Sequence, residues 1–146
     1  MFTIPTIEPM KDNRPGTVLI DIDGTLVSMN DVENWDPYSL YQETILGGQT
    51  RDPNAINILP GVREKMVRWH AMGIKIVLTT ARTESLRGVT EHTLETFGIV
   101  YDILIMGLNH GPRYVINDLD PNYPDQPKAI AINVKRNAGL EDVDLQ

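Results

Sequence analysis

Residues 18–28, VLIDIDGTLVS, set two carboxylates at the end of a β-branched apolar run. Such a run is typical of a strand that is buried on both faces of a parallel sheet. Asp21 and Asp23 are two residues apart, so their side chains leave the strand on the same face, and Gly24 then permits a sharp change of backbone direction. Two adjacent carboxylates repel one another unless a cation lies between them or one is protonated. The stretch therefore predicts a ligand site as well as a strand.

Apolar runs of strand length alternate with longer amphipathic segments along the chain, which predicts an α/β fold. We expect a three-layer Rossmann-like architecture with a mainly parallel central sheet of about five strands. The predicted helices cover residues 60–73 and 83–98, and Val62, Met66, Trp69 and His70 share the apolar stripe of the first. The predicted strands cover residues 17–22, 74–79, 102–106, 114–117 and 129–134.

The 146 residues predict a single domain spanning 1–146. Residues 28–59 are polar and rich in Asn, Asp, Gly and Pro, which indicates a small insertion or lid between the first strand and its helix. Trp35 and Tyr38 in this insertion either line a sugar or base site or anchor the insertion to the core. Residues 1–13 and 140–146 are predicted to be loose termini.

Composition excludes several classes of site and partner. The chain has no cysteine, which rules out disulfides, thiolate metal sites and a cysteine nucleophile. Its net charge of −7 argues against a nucleic-acid partner, since binding to a phosphate backbone needs a basic face. No run approaches the roughly 20 apolar residues of a membrane span, and the first residues lack a signal-peptide pattern, so we expect no membrane partner and a cytoplasmic location.

Polar side chains also follow two later strands. The sequence LTTAR, residues 78–82, offers the hydroxyls of Thr79 and Thr80 together with Arg82, and RYVINDLDP, residues 113–121, offers Asp118. In open α/β sheets the carboxyl ends of the strands border the ligand crevice. Carboxylates, hydroxyls and N–H groups there suit Mg²⁺ and a phosphoryl group. The alternatives are that the threonines only cap the next helix and that Arg82 pairs with Glu84 or Glu91.

Three of these stretches carry a family resemblance. DIDGTL (21–26), TTAR (79–82) and INDLD (116–120) resemble motifs I, II and IV of the haloacid dehalogenase-like superfamily of aspartate-nucleophile phosphohydrolases. The succession of YDILIMG (101–107) and YVINDL (114–119) is similar to small members with little or no cap, including phosphatases of capsular sugar synthesis. The resemblance implies a fold of that superfamily.

The resemblance also implies roles for individual residues. Asp21 would attack phosphorus to form an aspartyl-phosphate, Asp23 would act as general acid and base, and Thr80 would hold a phosphoryl oxygen. The Asp21 carboxylate, the Asp23 backbone carbonyl and Asp118 would hold Mg²⁺. The expected substrate-binding residues are Gly24, Thr25, Ala81 and Arg82.

Two departures from the family pattern affect the site. No lysine lies between residues 75 and 128, where motif III would supply one to the phosphoryl group, and Arg113 is the predicted catalytic substitute. His110 and Arg82 are the alternatives for that role. In motif IV, Asn117 replaces one of the usual paired acids, so Asp118 has the metal role and Asp120 offers a possible compensating carboxylate.

The expected function is that of a Mg²⁺-dependent phosphatase acting on a small phosphomonoester, a sugar phosphate or a nucleotide. The alternatives are a polynucleotide-end phosphatase and a non-catalytic module that binds metal and phosphate. A homodimer that covers an open pocket is a further alternative. Residues 135–137, Lys-Arg-Asn, either reach the distal part of the substrate or form a solvated turn.

Overall fold

The structure is a computed structural model that describes residues 11–29 and 56–145. Its contacts divide the chain into two compact units, whereas the sequence predicts one domain. We call Pro15–His110 with Val134–Gln146 the sheet unit, and Met1–Arg14 with Gly111–Asn133 the turn unit. Of the predicted insertion and N-terminal segment, residues 30–55 and 1–10 lie outside the described residues, and so do Trp35 and Tyr38.

The sheet unit contains a parallel sheet of three strands in the order β1–β2–β3. The strands are β1 (Thr17–Asp21), β2 (Lys75–Thr79) and β3 (Ile103–Ile105). In the register of the sheet, Asp21 lies opposite Thr79, and Thr79 lies opposite Ile105. The α/β class and the first three predicted strands are thus confirmed, and the polar ends of β1 and β2 lie side by side.

Two helices follow β1 and β2. Helix α1 is Val62–Ala71, and helix α2 is Arg87–Thr96, which is preceded by a 3₁₀ turn, Glu84–Leu86. Helix α1 buries Val62, Met66 and Trp69 as the apolar stripe predicts, whereas His70, at the edge of that stripe, is exposed. No helix among the described residues is long and apolar enough to cross a membrane.

The core of the sheet unit lies between one face of the sheet and the two helices. Ile20, Ile76, Leu78 and Leu104 alternate along the strands and point to this core, together with the buried stripe of α1 and with Leu94 and Phe97. On the opposite face Leu19, Ile103 and Ile105 remain 41–55% exposed. The described sheet unit therefore shows two layers of the predicted three.

The C-terminal segment packs on the sheet unit, which corrects the prediction of a loose end over residues 140–146. Leu140 is 3% exposed, and its N–H donates to the Pro60 carbonyl at 2.8 Å. Val143 and Leu145 pack against the same core. The apolar side chains at 140, 143 and 145 account for this, because their burial offsets the entropy of ordering the segment.

The turn unit contains neither helix nor strand in its described residues, 11–14 and 111–133. The two strands predicted at 114–117 and 129–134 are not shown, and Tyr114, Ile116 and Ile130 are 86%, 94% and 73% exposed. Residues rich in Val and Ile favour a strand only where a neighbouring strand supplies hydrogen bonds and a surface to pack on. The β-branched content of these two segments alone is therefore not enough to predict a strand.

Arg14 links the two parts of the turn unit. Its guanidinium pairs with Asp12 at 2.7 Å and with Asp120 at 2.9 Å, and lies 5.2 Å from the centre of the Tyr123 ring. The hydrogen bonds from Arg14 lower the pKa of Asp12 to about 2. The end of the predicted loose N-terminal segment is therefore held by ion pairs.

The packing around Gly139 yields a stability prediction. Gly139 has φ 84°, and a Cβ there would overlap the backbone of Pro60. We expect Gly139→Ala to lower the free energy of unfolding by about 2–4 kcal/mol, measured by urea denaturation. Gly88→Ala is the matched control, because Gly88 lies in α2 with nothing within 4 Å of an added Cβ, and it should gain about 0.5 kcal/mol. Equal effects of the two substitutions would contradict the packing.

Candidate functional site

A tight turn follows Asp21, the last residue of β1, and carries Asp23, the second acid of the first motif. The Ile22 carbonyl accepts hydrogen bonds from the N–H groups of Thr25, Leu26 and Val27 at 2.9–3.2 Å, and the Gly24 N–H donates to Val27 at 2.8 Å. Gly24 has φ 83°, a conformation that favours glycine. The N–H groups of Gly24 and Thr25, two predicted substrate-binding residues, are therefore used within the turn.

A second loop follows β2 and is held by the end of β3. The Thr80 N–H donates to Ile105 at 3.0 Å, while Leu108 and Gly107 donate to the carbonyls of Thr80 and Arg82 at 3.1 and 2.8 Å. These bonds tie the Thr80–Arg82 loop to the strand on its far side. The loop is consequently fixed next to the turn that carries Asp23.

The hydrogen-bond donors of the Thr80–Arg82 loop differ in whether they are already bonded within the protein. Thr80 is 1% exposed, and its Oγ1 accepts the Arg82 N–H at 3.1 Å, which leaves the hydroxyl proton able to donate. Among the described residues, no acceptor bonds to the Ala81 N–H. The Thr79 hydroxyl reaches the Ile20 carbonyl at 3.5 Å, inside the sheet. Thr80 and Ala81 are thus the residues of TTAR that can donate to an anion.

Arg82 and Asp23 form a buried, bidentate ion pair between the two loops. Arg82 Nε and Nη2 donate to the two carboxylate oxygens of Asp23 at 2.9 and 2.6 Å. The side chains are 3% and 14% exposed. Burial weakens the screening of this pair by water, and the fork geometry fixes the plane of the carboxylate. The pair therefore holds the predicted acid and base group in one orientation.

Helix α2 supports this ion pair. Arg82 Nη1 donates to Thr90 Oγ1 at 3.1 Å, and Thr90 is 1% exposed. Glu84 and Glu91, the alternative partners for Arg82, instead pair with Arg87 at 2.8 and 3.4 Å. Two of the Arg82 nitrogens therefore donate to Asp23 and a third donates to Thr90, and its substrate-binding role stays a prediction.

The cation beside the first motif is thus a side chain. The sequence led us to expect that Mg²⁺ would relieve the repulsion between Asp21 and Asp23 while Asp23 carried a proton. In the structure a guanidinium faces Asp23, and Asp21 lies half-buried opposite Thr79. An arginine paired with Asp23 offsets the charge of that carboxylate whether or not a metal is bound.

The remaining predicted site residues lie in the turn unit. Asp118 and Arg113 are exposed there, whereas Asp21, Asp23 and Thr80 belong to the sheet unit. Asp120 accepts from the Asn122 N–H at 2.9 Å and pairs with Arg14, and both interactions lower its pKa. Asp120 is therefore engaged in a structural ion pair rather than presented as a compensating ligand. No three acidic or histidine side chains among the described residues are grouped to hold a metal ion.

Residues 136 and 137 touch the first motif, and sequence reasoning left their role open. The Asn137 N–H donates to the Gly24 carbonyl at 2.8 Å, and its side-chain amide bonds both backbone groups of Met29, each at 2.8 Å. The Arg136 side chain passes over Gly24. The sequence signal for this contact is the cationic Lys-Arg-Asn stretch directly after a predicted strand.

Comparison with known proteins identified one distantly similar structure. No family model and no curated protein matches this chain. A crystal structure of an MCSG target from Vibrio cholerae is similar with a TM-score of 0.41 and 20% identity, over 68% of this chain and 78% of that chain. A likeness of this degree supports no argument about fold or function.

The Arg82–Asp23 pair can be tested by a double-mutant cycle. Arg82→Met leaves a carboxylate buried without its partner and should cost about 3 kcal/mol of unfolding free energy, and Asp23→Asn should cost a similar amount. The double variant should lose less than the sum, by roughly 1–3 kcal/mol. Guanidinium chloride denaturation of the four proteins measures this coupling.

Arg87→Met provides the control for that cycle. Arg87 makes a comparable two-bond contact with Glu84, but the two side chains are 36% and 63% exposed. Exposed pairs contribute little to stability, and Arg87 adds one bond from Nη2 to the Leu104 carbonyl at 3.2 Å, so the midpoint of unfolding should fall much less than in Arg82→Met. Additive effects of the Arg82 and Asp23 substitutions would show that the buried pair carries no coupling.

Proposed function

We propose that this chain is a Mg²⁺-dependent phosphomonoesterase that hydrolyses a small sugar phosphate or nucleotide through an aspartyl-phosphate. The observation that carries the proposal is the junction of the first two motifs, where Asp21 at the end of β1 lies opposite Thr79 and Asp23 is bonded to Arg82 in the loop after β2. The proposal includes a haloacid dehalogenase-like fold with little or no cap, as the motifs imply.

The proposed reaction uses the two acids in turn. An Asp21 oxygen attacks phosphorus, the bond from phosphorus to the leaving oxygen breaks, and Asp23 gives that oxygen its proton. Asp23 then takes a proton from water, whose oxygen attacks phosphorus and displaces Asp21, and phosphate is released. Both Asp23 oxygens accept from Arg82 in the structure, so Asp23 would have to release at least one of these hydrogen bonds to carry the proton of the first step, and the remaining bond would keep its carboxyl group in place.

Donors after β2 suit the transferred phosphoryl group. The Thr80 hydroxyl and the Ala81 N–H can both donate to its non-bridging oxygens, which gain charge as the group is transferred. Because Thr80 is buried and its loop is tied to β3, these donors are already in place before substrate binds. Such preorganisation is the main way in which a protein accelerates phosphoryl transfer.

The oxygen donors present also suit Mg²⁺. The Asp21 carboxylate and the Asp23 backbone carbonyl are hard oxygen ligands at one strand end, and Asp118 is the proposed third ligand. The Asp23 carboxylate faces Arg82, so the carbonyl is the group of Asp23 that suits a metal. Mg²⁺ is usually held by one or two carboxylates, with water and substrate phosphate completing its shell. When bound, the ion supplies neutralisation of the phosphoryl charge.

The nucleophile is tested by Asp21→Asn. Hydrolysis of p-nitrophenyl phosphate in MgCl₂ should fall by at least about a thousandfold, because an amide oxygen is a poor nucleophile. Excess EDTA should abolish turnover by the unsubstituted chain. Asp142→Asn, which removes an exposed carboxylate outside the site, should keep full activity. Undiminished turnover by Asp21→Asn, or no turnover of any sugar phosphate, mononucleotide or 3′-phosphorylated oligonucleotide by the unsubstituted chain, would refute the proposal.

The metal role of Asp118 has a separate test. Asp118→Asn should raise the Mg²⁺ concentration for half-maximal activity by about tenfold or more, because a charged ligand is replaced by a neutral one. Asp125→Asn removes another exposed carboxylate of the turn unit and should leave the Mg²⁺ dependence unchanged. The same Mg²⁺ dependence in both variants would exclude Asp118 as a ligand.

A further inference from the structure

Helix α2 carries three threonines, and one of them makes a different hydrogen bond from the other two. Thr93 and Thr96 each donate from Oγ1 to the carbonyl four residues earlier in the same helix, at 3.0 and 2.8 Å. This is a common bond for a threonine inside a helix. Thr90 Oγ1 instead accepts from Arg82 Nη1 at 3.1 Å. The hydroxyl of Thr90 is therefore directed at the residue that pairs with Asp23.

The contact between Thr90 and Arg82 is buried. Thr90 is 1% exposed, and the side chain of Arg82 is 3% exposed. Because water is largely excluded there, removal of the Thr90 hydroxyl would take an acceptor from Nη1 without supplying a replacement. At an exposed guanidinium such as that of Arg87, water would take the place of a lost acceptor. The Thr90 bond therefore restrains Arg82 in a way that solvent does not reproduce.

Three hydrogen bonds of Arg82 define the plane of its guanidinium. Nε and Nη2 donate to the two carboxylate oxygens of Asp23 at 2.9 and 2.6 Å, while Nη1 donates to Thr90. A guanidinium is planar and rigid, so its donors point in fixed directions relative to one another. A bond that fixes Nη1 consequently also fixes the direction from which Nε and Nη2 approach Asp23.

The proposed reaction makes the bond to Thr90 more important than it is in the resting protein. Asp23 would release at least one of its two bonds from Arg82 when it carries the proton for the leaving oxygen. Thr90 takes no part in that proton transfer, so its bond to Nη1 persists. Arg82 then stays in place, and its remaining bond keeps the Asp23 carboxyl group from turning away.

We propose that Thr90 is a positioning residue for the proposed reaction. Its hydroxyl oxygen holds Arg82, and Arg82 holds the carboxyl group of Asp23 in the direction of the leaving oxygen. This inference rests on the proposed function and adds to it a residue of α2 that lies outside the three motifs. Thr90 acts on the departure of the leaving group, through Arg82 and Asp23, and makes no contact with substrate.

The role is tested with two substrates whose leaving groups need a proton to different degrees. p-Nitrophenol is a much stronger acid than phenol, so p-nitrophenyl phosphate needs little help from a proton donor, whereas phenyl phosphate depends on one. Both are assayed in MgCl₂ and compared by kcat/KM, which includes only the steps up to departure of the leaving group. A misplaced proton donor changes the ratio of the two values, whereas a loss of folded protein lowers both equally.

Thr90→Val removes the acceptor and keeps the size and branching of the side chain. We expect kcat/KM to fall about tenfold for phenyl phosphate and at most about twofold for p-nitrophenyl phosphate, because a general acid contributes roughly a hundredfold or more and misplacement removes part of that. Thr90→Ser restores the hydroxyl and should recover most of the loss. Thr90→Cys, whose thiol is a weak acceptor, repeats the comparison should the valine variant not fold.

Thr93→Val is the matched control, because Thr93 is buried in the same helix at 3% exposure and its hydroxyl bonds that helix. It should lower both values equally or leave both unchanged. Equal losses for the two substrates in Thr90→Val, no loss, or no recovery in Thr90→Ser overturns the role of Thr90 and leaves the phosphatase standing. Hydrolysis of neither aryl phosphate by the unsubstituted chain also overturns this role, and turnover of sugar phosphates and nucleotides then decides the phosphatase separately.

Discussion

The ion pair between Arg82 and Asp23 is the contact on which the candidate site depends. It joins residues 59 positions apart in the sequence, one after each of two neighbouring parallel strands. A buried guanidinium is costly to desolvate, and its cost is offset only where its donors are satisfied, here by Asp23 and by Thr90 of α2. The position of the predicted acid is therefore determined by β1, β2 and α2 together.

The parts of the fold that were predictable from sequence are those with local signals. The apolar runs of β1, β2 and β3 and the apolar stripe of α1 are each local to one segment, and all were confirmed except for His70 of the stripe. Residues 114–117 carry a similar local pattern and form no strand. Strand formation requires a partner from elsewhere in the chain, and no local pattern specifies one. The packing of the C-terminal segment was not predicted for the same reason. Leu140 and Pro60 are 80 residues apart in the sequence, and no local pattern indicates that they are hydrogen-bonded.

The same distinction applies to the site. The proximity of the first two motifs followed from the rule that parallel strands present their carboxyl ends at one edge. The partner of Arg82 did not follow, because Glu84 and Glu91 are near in sequence whereas Asp23 is distant. The structure resolves the choice through burial: Arg87 serves the two exposed glutamates, and Arg82 points into the protein. Burial of one particular side chain depends on tertiary packing, which the sequence pattern did not reveal.

The charges around Asp21 and Asp23 explain why the proposed function includes a metal ion. Arg82 and Asp23 neutralise one another at hydrogen-bond distance, so the pair contributes little net field to an incoming phosphate. In the proposed reaction a phosphate dianion approaches the Asp21 carboxylate, and two negatively charged groups repel one another. Neutral donors at Thr80 and Ala81 do not offset that repulsion alone. A divalent ion on the Asp21 carboxylate and the Asp23 carbonyl would reverse the sign of the local charge.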